Sequence, residues 1–327
     1  MLDFLINLFI IASIFAIVAS SLNLLIGFTG VFSIAHAIFY GVGGYAAALV
    51  SLHLGTSLLL ALLIAMVASA VFSVLLALPA ARVTGEYFVV VSLAFALVAF
   101  TVFSQWTPVT GGPAGLVGIS RVTLLGIPLD SNKAYLGLAV VMLVLVTVIL
   151  YVIIRRTPLG RSLQALRDDP LAAQALGKNS FRLRLIAVVI SSALAATGGV
   201  IYAGYVFFVN ADSFSVHAGV LFMTMVILGG AGTLSGPIIG AFFITLFPEA
   251  LEFADLPSEL KGPLEQIIYG AALVVLMLVR PSGLAGMFTD LLPQKRRSAG
   301  LLSAGSESQP AAGGPVADKY TSSRGTA

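Results

Sequence analysis

Long apolar runs without charge, separated by short polar stretches, make up most of this chain. Residues 1–81 contain no lysine or arginine, and several uncharged runs exceed the ~20 residues that cross a bilayer as an α-helix. Around residues 218–247, two shorter apolar arms flank a glycine cluster, a pattern that predicts a glycine-broken or re-entrant hairpin. We therefore predict an all-α, polytopic transmembrane helical bundle of about 8–10 membrane segments, because the strands of a β-barrel alternate over only about 10 residues. Apolar membrane segments are expected at residues 4–26, 31–52, 57–81, 87–104, 134–154, 185–209 and 266–279.

The longest polar interruption, residues 155–184, sets the predicted topology. Basic loops between membrane spans stay in the cytoplasm, so this basic loop marks the inner side and the polar residues 105–133 the outer side. The side of the N-terminus stays open: it is outer if residues 31–52 cross fully, and inner if they are re-entrant. The basic loop carries 7 of the 17 lysine and arginine residues, namely Arg155, Arg156, Arg161, Arg167, Lys178, Arg182 and Arg184.

Helix signals inside the basic loop predict a short cytoplasmic helix. Residues 157–160 are expected to form a turn and residues 162–167 one short helical stretch. Asp169 and Pro170 then have the order of an N-cap and a first helical residue, and Gly177 is a C-terminal stop. Leu171, Ala172 and Ala175 share one face at helical spacing, which suits a groove on a soluble partner. The alternative is a basic loop that only sets topology.

Composition excludes several classes of site. The chain is 59% hydrophobic and 9% charged with a mean hydropathy of +1.06, whereas soluble domains have about 25% charged residues. It has no cysteine, which excludes disulfides, thiolate metal sites and a cysteine nucleophile. Neither a phosphate-binding P-loop pattern nor a zinc-binding HExxH pattern occurs. The chain therefore either passes solute passively or takes energy from a partner.

Composition also divides the chain into two parts. We expect a transmembrane domain over residues 1–292. Residues 298–327 are rich in serine, glycine, alanine and proline, and this composition predicts a disordered cytoplasmic tail over residues 293–327.

Two glycine-rich stretches form a partial internal repeat. Gly27, Gly30 and Ser33 match Gly229, Gly232 and Ser235 at a constant offset. Transporters place substrate sites at glycine-broken helices in corresponding positions of two halves. These residues are therefore candidates for a translocation path, and a chance match between glycine-rich membrane segments is the alternative.

Polar side chains within the first two spans are further candidates for this path. His36 is ionisable and lies deep in an apolar region, where such groups are functional suspects by default. Asn23, Ser33 and Tyr40 would line a polar path with it. The alternative is that all four only make hydrogen bonds between helices.

Five motifs in order between residues 20 and 288 resemble those of branched-chain amino-acid ABC transporter permeases, most closely the M-type member of the paired permeases. The motifs are Gly27-x-x-Gly30-x-x-Ser33-x-x-His36-x-x-Phe39-x-Gly41-x-Gly43-x-Tyr45; Thr110-Gly111-Gly112-x-x-Gly115-Leu116-x-Gly118-Ile119; Thr157-Pro158-x-Gly160-Arg161 with Ala165-Leu166-Arg167-Asp168-Asp169 and Ala172-Ala173-x-Ala175-Leu176-Gly177; Gly229-Gly230-x-Gly232-Thr233-x-x-Gly236-Pro237; and Arg280-Pro281-x-Gly283-Leu284.

The resemblance implies one half of a heterodimeric inner-membrane importer for branched-chain amino acids. It implies a second permease subunit, a periplasmic binding protein meeting residues 105–120, and two cytoplasmic ATPases. The ATPases would bind the ATP, so the chain would be no enzyme and would need no cofactor, no metal and no nucleic acid, and its spans would contact membrane lipid. Residues 169–177 would be the coupling helix, with docking contacts from Leu171, Ala172, Ala175 and Leu176, and glycines 27–30 and 229–232 would flank the path.

Three alternatives stay open. A urea or short-chain amide permease shares these motifs. A secondary carrier or channel would transport without partner chains. A membrane-embedded enzyme using His36 would need a second catalytic group at membrane depth, and the sequence offers no convincing one.

Overall fold

Helices make up nearly all of the regular structure. The computed structural model describes residues 2–55, 57–80, 87–121, 123–124, 127–129, 131–252 and 270. Its α-helices are α1 (Leu2–Thr29), α2 (His36–His53), α3 (Leu58–Ala80), α4 (Tyr87–Gln105), α5 (Thr107–Thr110), α6 (Asn132–Tyr151), α7 (Pro158–Asp168), α8 (Pro170–Ala175), α9 (Ser180–Val206), α10 (Val216–Gly229) and α11 (Gly236–Glu252). A π-helical turn (Val152–Arg156) and two 3₁₀ turns (Gly112–Ala114 and Asp212–Phe214) complete the helical structure.

Four two-residue strands interrupt the helical pattern. They are β1 (Leu116–Val117), β2 (Thr123–Leu124), β3 (Ile127–Pro128) and β4 (Phe208–Val209). β1 pairs antiparallel with β4, and β2 pairs antiparallel with β3. The sequence pattern did not predict these strands. The β1–β4 pair ties the loop of residues 105–133 to the end of α9.

The predicted all-α polytopic architecture is confirmed. Six helices in the described part of the chain are long and apolar enough to cross a membrane, and the apolar part of α11, Gly236–Phe247, is shorter. Apart from residue 270, the predicted span at 266–279 and the predicted tail at 293–327 lie outside the described residues. The six candidate spans are Asp3–Thr29, Leu58–Pro79, Tyr87–Gln105, Asn132–Arg156, Ser180–Val206 and Asp212–Gly229.

The second predicted span begins later than expected. α1 continues through Gly27 to Thr29, and α2 starts at His36 instead of residue 31. Gly30 has a φ of +71°, a left-handed conformation that ends the helix. Apolar residues in the six-residue connection, residues 30–35, concealed the break, because hydropathy alone cannot separate helix from loop inside a membrane.

A close crossing of α2 and α9 lies at the centre of the bundle. Ala195, Gly199 and Ala203, a small-residue face of α9, are buried. A Cβ atom on Gly199 would collide with the Tyr40 carbonyl oxygen and the Gly44 nitrogen. Small residues let two backbones approach closely in a membrane, where van der Waals packing drives helix association.

The periphery is apolar. Along α3, exposed side chains recur at every fourth position, which places them on one face of the helix. They are Leu63, Val67, Val71 and Leu75. A continuous apolar face suits lipid or a second membrane subunit.

Contacts at its two ends define the direction of α1. Near its start, Asn7 Oδ1 accepts hydrogen bonds from Tyr205 (2.7 Å) and from Asn132 (3.3 Å), beside the loop of residues 105–133. Near its end, the Gly27 carbonyl oxygen accepts a hydrogen bond from Arg167 of the basic loop. α2 returns toward the first side, where Ser51 Oγ accepts from the Ser120 backbone nitrogen. This arrangement favours the topology in which α1 starts on the outer side.

Candidate functional site

The segment before the predicted coupling helix is a helix from its first residue. Thr157 is its N-cap: its hydroxyl oxygen accepts a hydrogen bond from the Gly160 nitrogen, and Pro158 follows at the first helical position. The prediction of a separate turn at 157–160 is therefore wrong, because threonine followed by proline starts α7 instead. Leu163 and Leu166 are buried and anchor α7 to the bundle.

The next helix, α8, begins and ends as predicted. Asp169 Oδ1 accepts hydrogen bonds from the nitrogens of Leu171 (2.9 Å) and Ala172 (3.0 Å), as an N-cap does. At the other end, Gly177 has a φ of +77°. The Lys178 nitrogen donates to the Ala173 carbonyl, and the Gly177 nitrogen donates to the Gln174 carbonyl. These two bonds form a Schellman motif, the usual glycine-dependent helix end.

Most apolar residues of α8 and the residue after it, Leu176, point away from the protein. The side chains of Leu171 and Leu176 are 77% and 79% exposed, more than any other large hydrophobic side chain in the described part of the chain. Ala172 and Ala175 are exposed, whereas Ala173 is buried. We call residues 169–177 the coupling segment. It presents an uncovered apolar face outside the membrane-spanning helices.

The two glycine stretches of the repeat form two similar breaks that touch each other. The first break separates α1 from α2, and the second separates α10 from α11. Gly30 and Gly232, one in each break, have φ values of +71° and +82°. A Cβ atom on Gly27 would collide with the backbone of Gly232. The repeat seen in the sequence therefore has a structural counterpart.

Asn23 holds the two breaks together. Its Oδ1 accepts a hydrogen bond from the Gly232 nitrogen (2.9 Å), and its Nδ2 donates to the Thr233 carbonyl oxygen (2.7 Å). The amide thus satisfies one backbone donor and one backbone acceptor that the break leaves outside a helix. We call the set Asn23, Gly27, Gly30, Gly232 and Thr233 the glycine junction.

Arg167, near the end of α7, reaches the same place. Its Nη1 donates to the Gly27 carbonyl oxygen at 2.6 Å, and its Nε and Nη2 both contact Asp168 Oδ1. In the sequence Arg167 counted only as one charge of the basic loop. Its partner is distant along the chain, so no local pattern identified it.

His36 belongs to a different part of the candidate path. Its Nε2 lies 2.8 Å from Ser21 Oγ. The Ser21 hydroxyl also lies 2.7 Å from the Val18 carbonyl oxygen, so it can donate to that carbonyl while its own oxygen accepts from His36 Nε2. This geometry favours the interpretation of His36 as a hydrogen-bond partner between α1 and α2. His36 Nδ1 and Ser33 Oγ are buried without a hydrogen-bond partner among the described residues.

The remaining path candidates lie apart. Tyr40 is buried among aromatic rings, with Phe214 at 5.1 Å and Tyr202 at 5.5 Å between ring centroids. Gly229 packs against the backbone of α11 at Gly236. Ser235 is exposed, although its repeat counterpart Ser33 is buried. The structure thus brings together Asn23, Gly27, Gly30 and Gly232, and it leaves the other candidates at separate positions.

Among the described residues, no group of three or more histidine, aspartate or glutamate side chains is arranged to hold a metal ion. A groove lined by Ile238, Phe242 and neighbouring side chains of α11 is almost entirely apolar.

Comparison with known proteins identifies the family. A family model described as the permease component of the branched-chain amino acid transport system matches residues 4–277. The high-affinity branched-chain amino acid permease protein LivM of Escherichia coli K12 is 30% identical over 308 residues, covering 88% of this chain and 71% of LivM. Its counterpart LivH from the same organism is 32% identical over 137 residues, 42% of each chain.

A relative named for a different substrate also matches. The autoinducer 2 import system permease protein LsrC of Enterobacter sp. (strain 638) is 33% identical over 155 residues, covering 46% of this chain and 43% of LsrC. No solved structure matches the chain. With the match spanning residues 4–277 and six apolar helices in the described part, this chain is a multi-pass membrane protein that belongs to the family of branched-chain amino acid transport system permease components.

Proposed function

We propose that this chain is one of two permease subunits of an ABC importer that carries branched-chain amino acids across the inner membrane. Its similarity to LivM over 88% of its length supports the substrate class. Two cytoplasmic ATPase subunits bind and hydrolyse the ATP, and the chain itself needs no cofactor. A periplasmic binding protein delivers the amino acid.

The second permease subunit resembles this one. Both LivM and LivH match the chain, and each is named as a permease protein of a high-affinity branched-chain amino acid transport system. Two similar subunits in one membrane form a pair around a shared path, with the glycine junction of each subunit beside it. The apolar outer faces of α3 and its neighbours contact lipid or the partner subunit.

One observation carries the proposed link to ATPases: the uncovered apolar face of the coupling segment. Leu171 and Leu176 are the most exposed large apolar side chains described, and they lie in a basic loop outside the spans. A short capped helix with apolar residues on one face fits a hydrophobic groove on a soluble protein. We propose Leu171, Ala172, Ala175 and Leu176 as the docking contacts, and Asp169, Pro170 and Gly177 as the residues that fix the helix ends.

The outer loop offers a surface for the binding protein. Residues 105–120 are held by the β1–β4 pair and by a close approach of Gly111 to the Gly115 carbonyl. The Thr110 hydroxyl bonds the Phe103 and Trp106 carbonyls, which fixes the end of α4 to α5. A rigid outer loop suits docking with little ordering cost.

Substitutions on α8 test the docking assignment. Leu171→Asp places a charge on the apolar face, and we expect it to weaken ATPase association by roughly 10- to 100-fold, the loss typical of a central apolar contact. Gln174→Asp on the same helix is the matched control, because Gln174 is also exposed but is polar and is not among the proposed docking contacts. Co-purification of the ATPases and ATP-dependent leucine uptake are measured together. Intact association of Leu171→Asp with its ATPases would contradict the assignment.

A further inference from the structure

The guanidinium of Arg167 joins two parts of the molecule that are far apart in sequence. Nη1 donates to the Gly27 carbonyl oxygen at 2.6 Å, and the two residues are 140 positions apart. Nε and Nη2 contact Asp168 Oδ1 at 3.0 and 2.9 Å, which orients the planar group. One side of the guanidinium is thus bonded to Asp168, the next residue of its own helix, and the other side is bonded to α1.

The carbonyl that Arg167 binds belongs to the last turn of α1. Helix ends leave backbone carbonyls without intrahelical partners, and they carry a partial negative charge. Thr29 Oγ1 donates to the Leu24 carbonyl, and the Val31 nitrogen donates to the Leu25 carbonyl. Arg167 supplies the Gly27 carbonyl with a charged donor, the most favourable kind at this end of a helix.

Both glycine breaks are shaped to admit this side chain. A Cβ atom on Gly30 would lie 2.9 Å from Arg167 Cγ, and a Cβ atom on Gly232 would lie 3.2 Å from Arg167 Nη1. The absence of side chains at these two positions leaves the space that the arginine occupies. A single residue of the basic loop therefore contacts the break after α1 and the break after α10.

Arg167 is also two positions before Asp169, the N-cap of the coupling segment. Because this connection is short, we expect a movement of α8 to move the Arg167 guanidinium as well. We propose that Arg167 is a positioning residue that ties the coupling segment to the glycine junction, so that displacement of α8 moves the ends of α1 and α10. This inference rests on the proposed function, because it assigns the displacement to the docked ATPases.

The test compares Arg167→Met with Arg161→Met in the reconstituted complex of both permease subunits, ATPases and binding protein. Arg161 is an exposed arginine on the same helix, so its loss controls for charge. We expect Arg167→Met to bind and stimulate the ATPases normally but to move roughly tenfold less leucine per ATP hydrolysed, the factor that corresponds to one charge-assisted hydrogen bond. Arg167→Lys, which keeps a cationic donor, should recover part of the loss.

A distance measurement separates coupling from a structural role. Because this chain has no cysteine, spin labels at Lys178→Cys, directly after the coupling segment, and at Ala231→Cys in the second break mark two single sites, with cysteine-free partner chains used to remove other signals. In the otherwise native complex we expect the distance between the two labels to stay nearly constant when ATP is added, because Arg167 makes both sites move together. In Arg167→Met we expect ATP to change this distance while ATPase binding persists.

Each outcome decides between the two claims. Wild-type leucine yield per ATP in Arg167→Met would overturn the role of Arg167 and leave the proposed function intact. Failure of both Arg167→Met and Arg167→Lys to assemble would also overturn it, because it would make Arg167 a folding residue. Absence of ATP-dependent transport in the native complex would remove the proposed function itself.

Discussion

At the scale of single residues, the Asn23 side-chain amide supplies two hydrogen bonds that a helix would otherwise supply to the backbone. It satisfies the Gly232 nitrogen and the Thr233 carbonyl, which lie in a break without helical partners. Unsatisfied buried polar groups cost about 1–3 kcal/mol each, although hydrogen bonds in membrane proteins average nearer to 0.6 kcal/mol. The two hydrogen bonds of the Asn23 amide therefore stabilise the glycine junction.

We expect Asn23→Ala to lower the free energy of unfolding of the purified permease pair by about 1–3 kcal/mol, because it removes both bonds. Ser20→Ala is the matched control. Ser20 is buried on the same helix, but its hydroxyl has no hydrogen-bond partner among the described residues. Thermal unfolding in detergent, followed for both variants, measures the difference. Equal stability of the two variants would show that the Asn23 bonds are not important for the junction.

Residues whose partners are near in sequence were predictable, and residues with distant partners were not. The roles of Asp169 and Gly177 followed from capping rules, because their bonds span two to five residues. Asn23 was identified only as a polar candidate, since its bond to Thr233 spans 210 positions. Arg167 was not predicted as a contact residue, because the positive charges of the basic loop were already explained by their role in setting the membrane topology.

At the scale of helices and strands, the crossing of α2 and α9 depends on glycine. A Cβ atom on Gly199 would collide with the backbone of α2. A Cβ atom on Gly137, an exposed glycine of α6, would meet no atom within 4 Å among the described residues. Glycine-to-alanine changes therefore have opposite signs at these two helical positions.

We expect Gly199→Ala to destabilise the protein by about 1–3 kcal/mol through overpacking. Gly137→Ala should be neutral or stabilising by up to about 1 kcal/mol, because alanine favours the helix. Unfolding in a denaturing detergent titration compares the two. A stabilising effect of Gly199→Ala would contradict the close crossing.

The helical architecture was predictable from hydropathy, but several boundaries were not. Inside a membrane both helices and breaks are apolar, so the run from Val31 to Ala35 was taken as helix. The strands β1 and β4 have two residues each, too short for an alternating pattern. The break between α10 and α11 was predicted correctly, because four glycines within eight residues are unfavourable in any helix interior.

At the scale of the whole molecule, the described part has two polar ends joined by α1. One end carries the β1–β4 pair and the outer loop, beside Asn7. The other end carries the glycine junction, Arg167 and the exposed coupling segment. This arrangement is what an importer needs if substrate arrives at one end and energy is supplied at the other.

The central claim is that this chain transports branched-chain amino acids only with its partners and only with ATP. The most direct measurement is uptake of labelled leucine, valine and urea into proteoliposomes that contain the chain with its second permease subunit, ATPases and binding protein. We predict leucine and valine uptake that disappears when ATP or any component is omitted. Uptake by this chain alone without ATP would contradict its role as a permease subunit of an ABC importer. Uptake of urea in place of leucine would contradict the proposed substrate class.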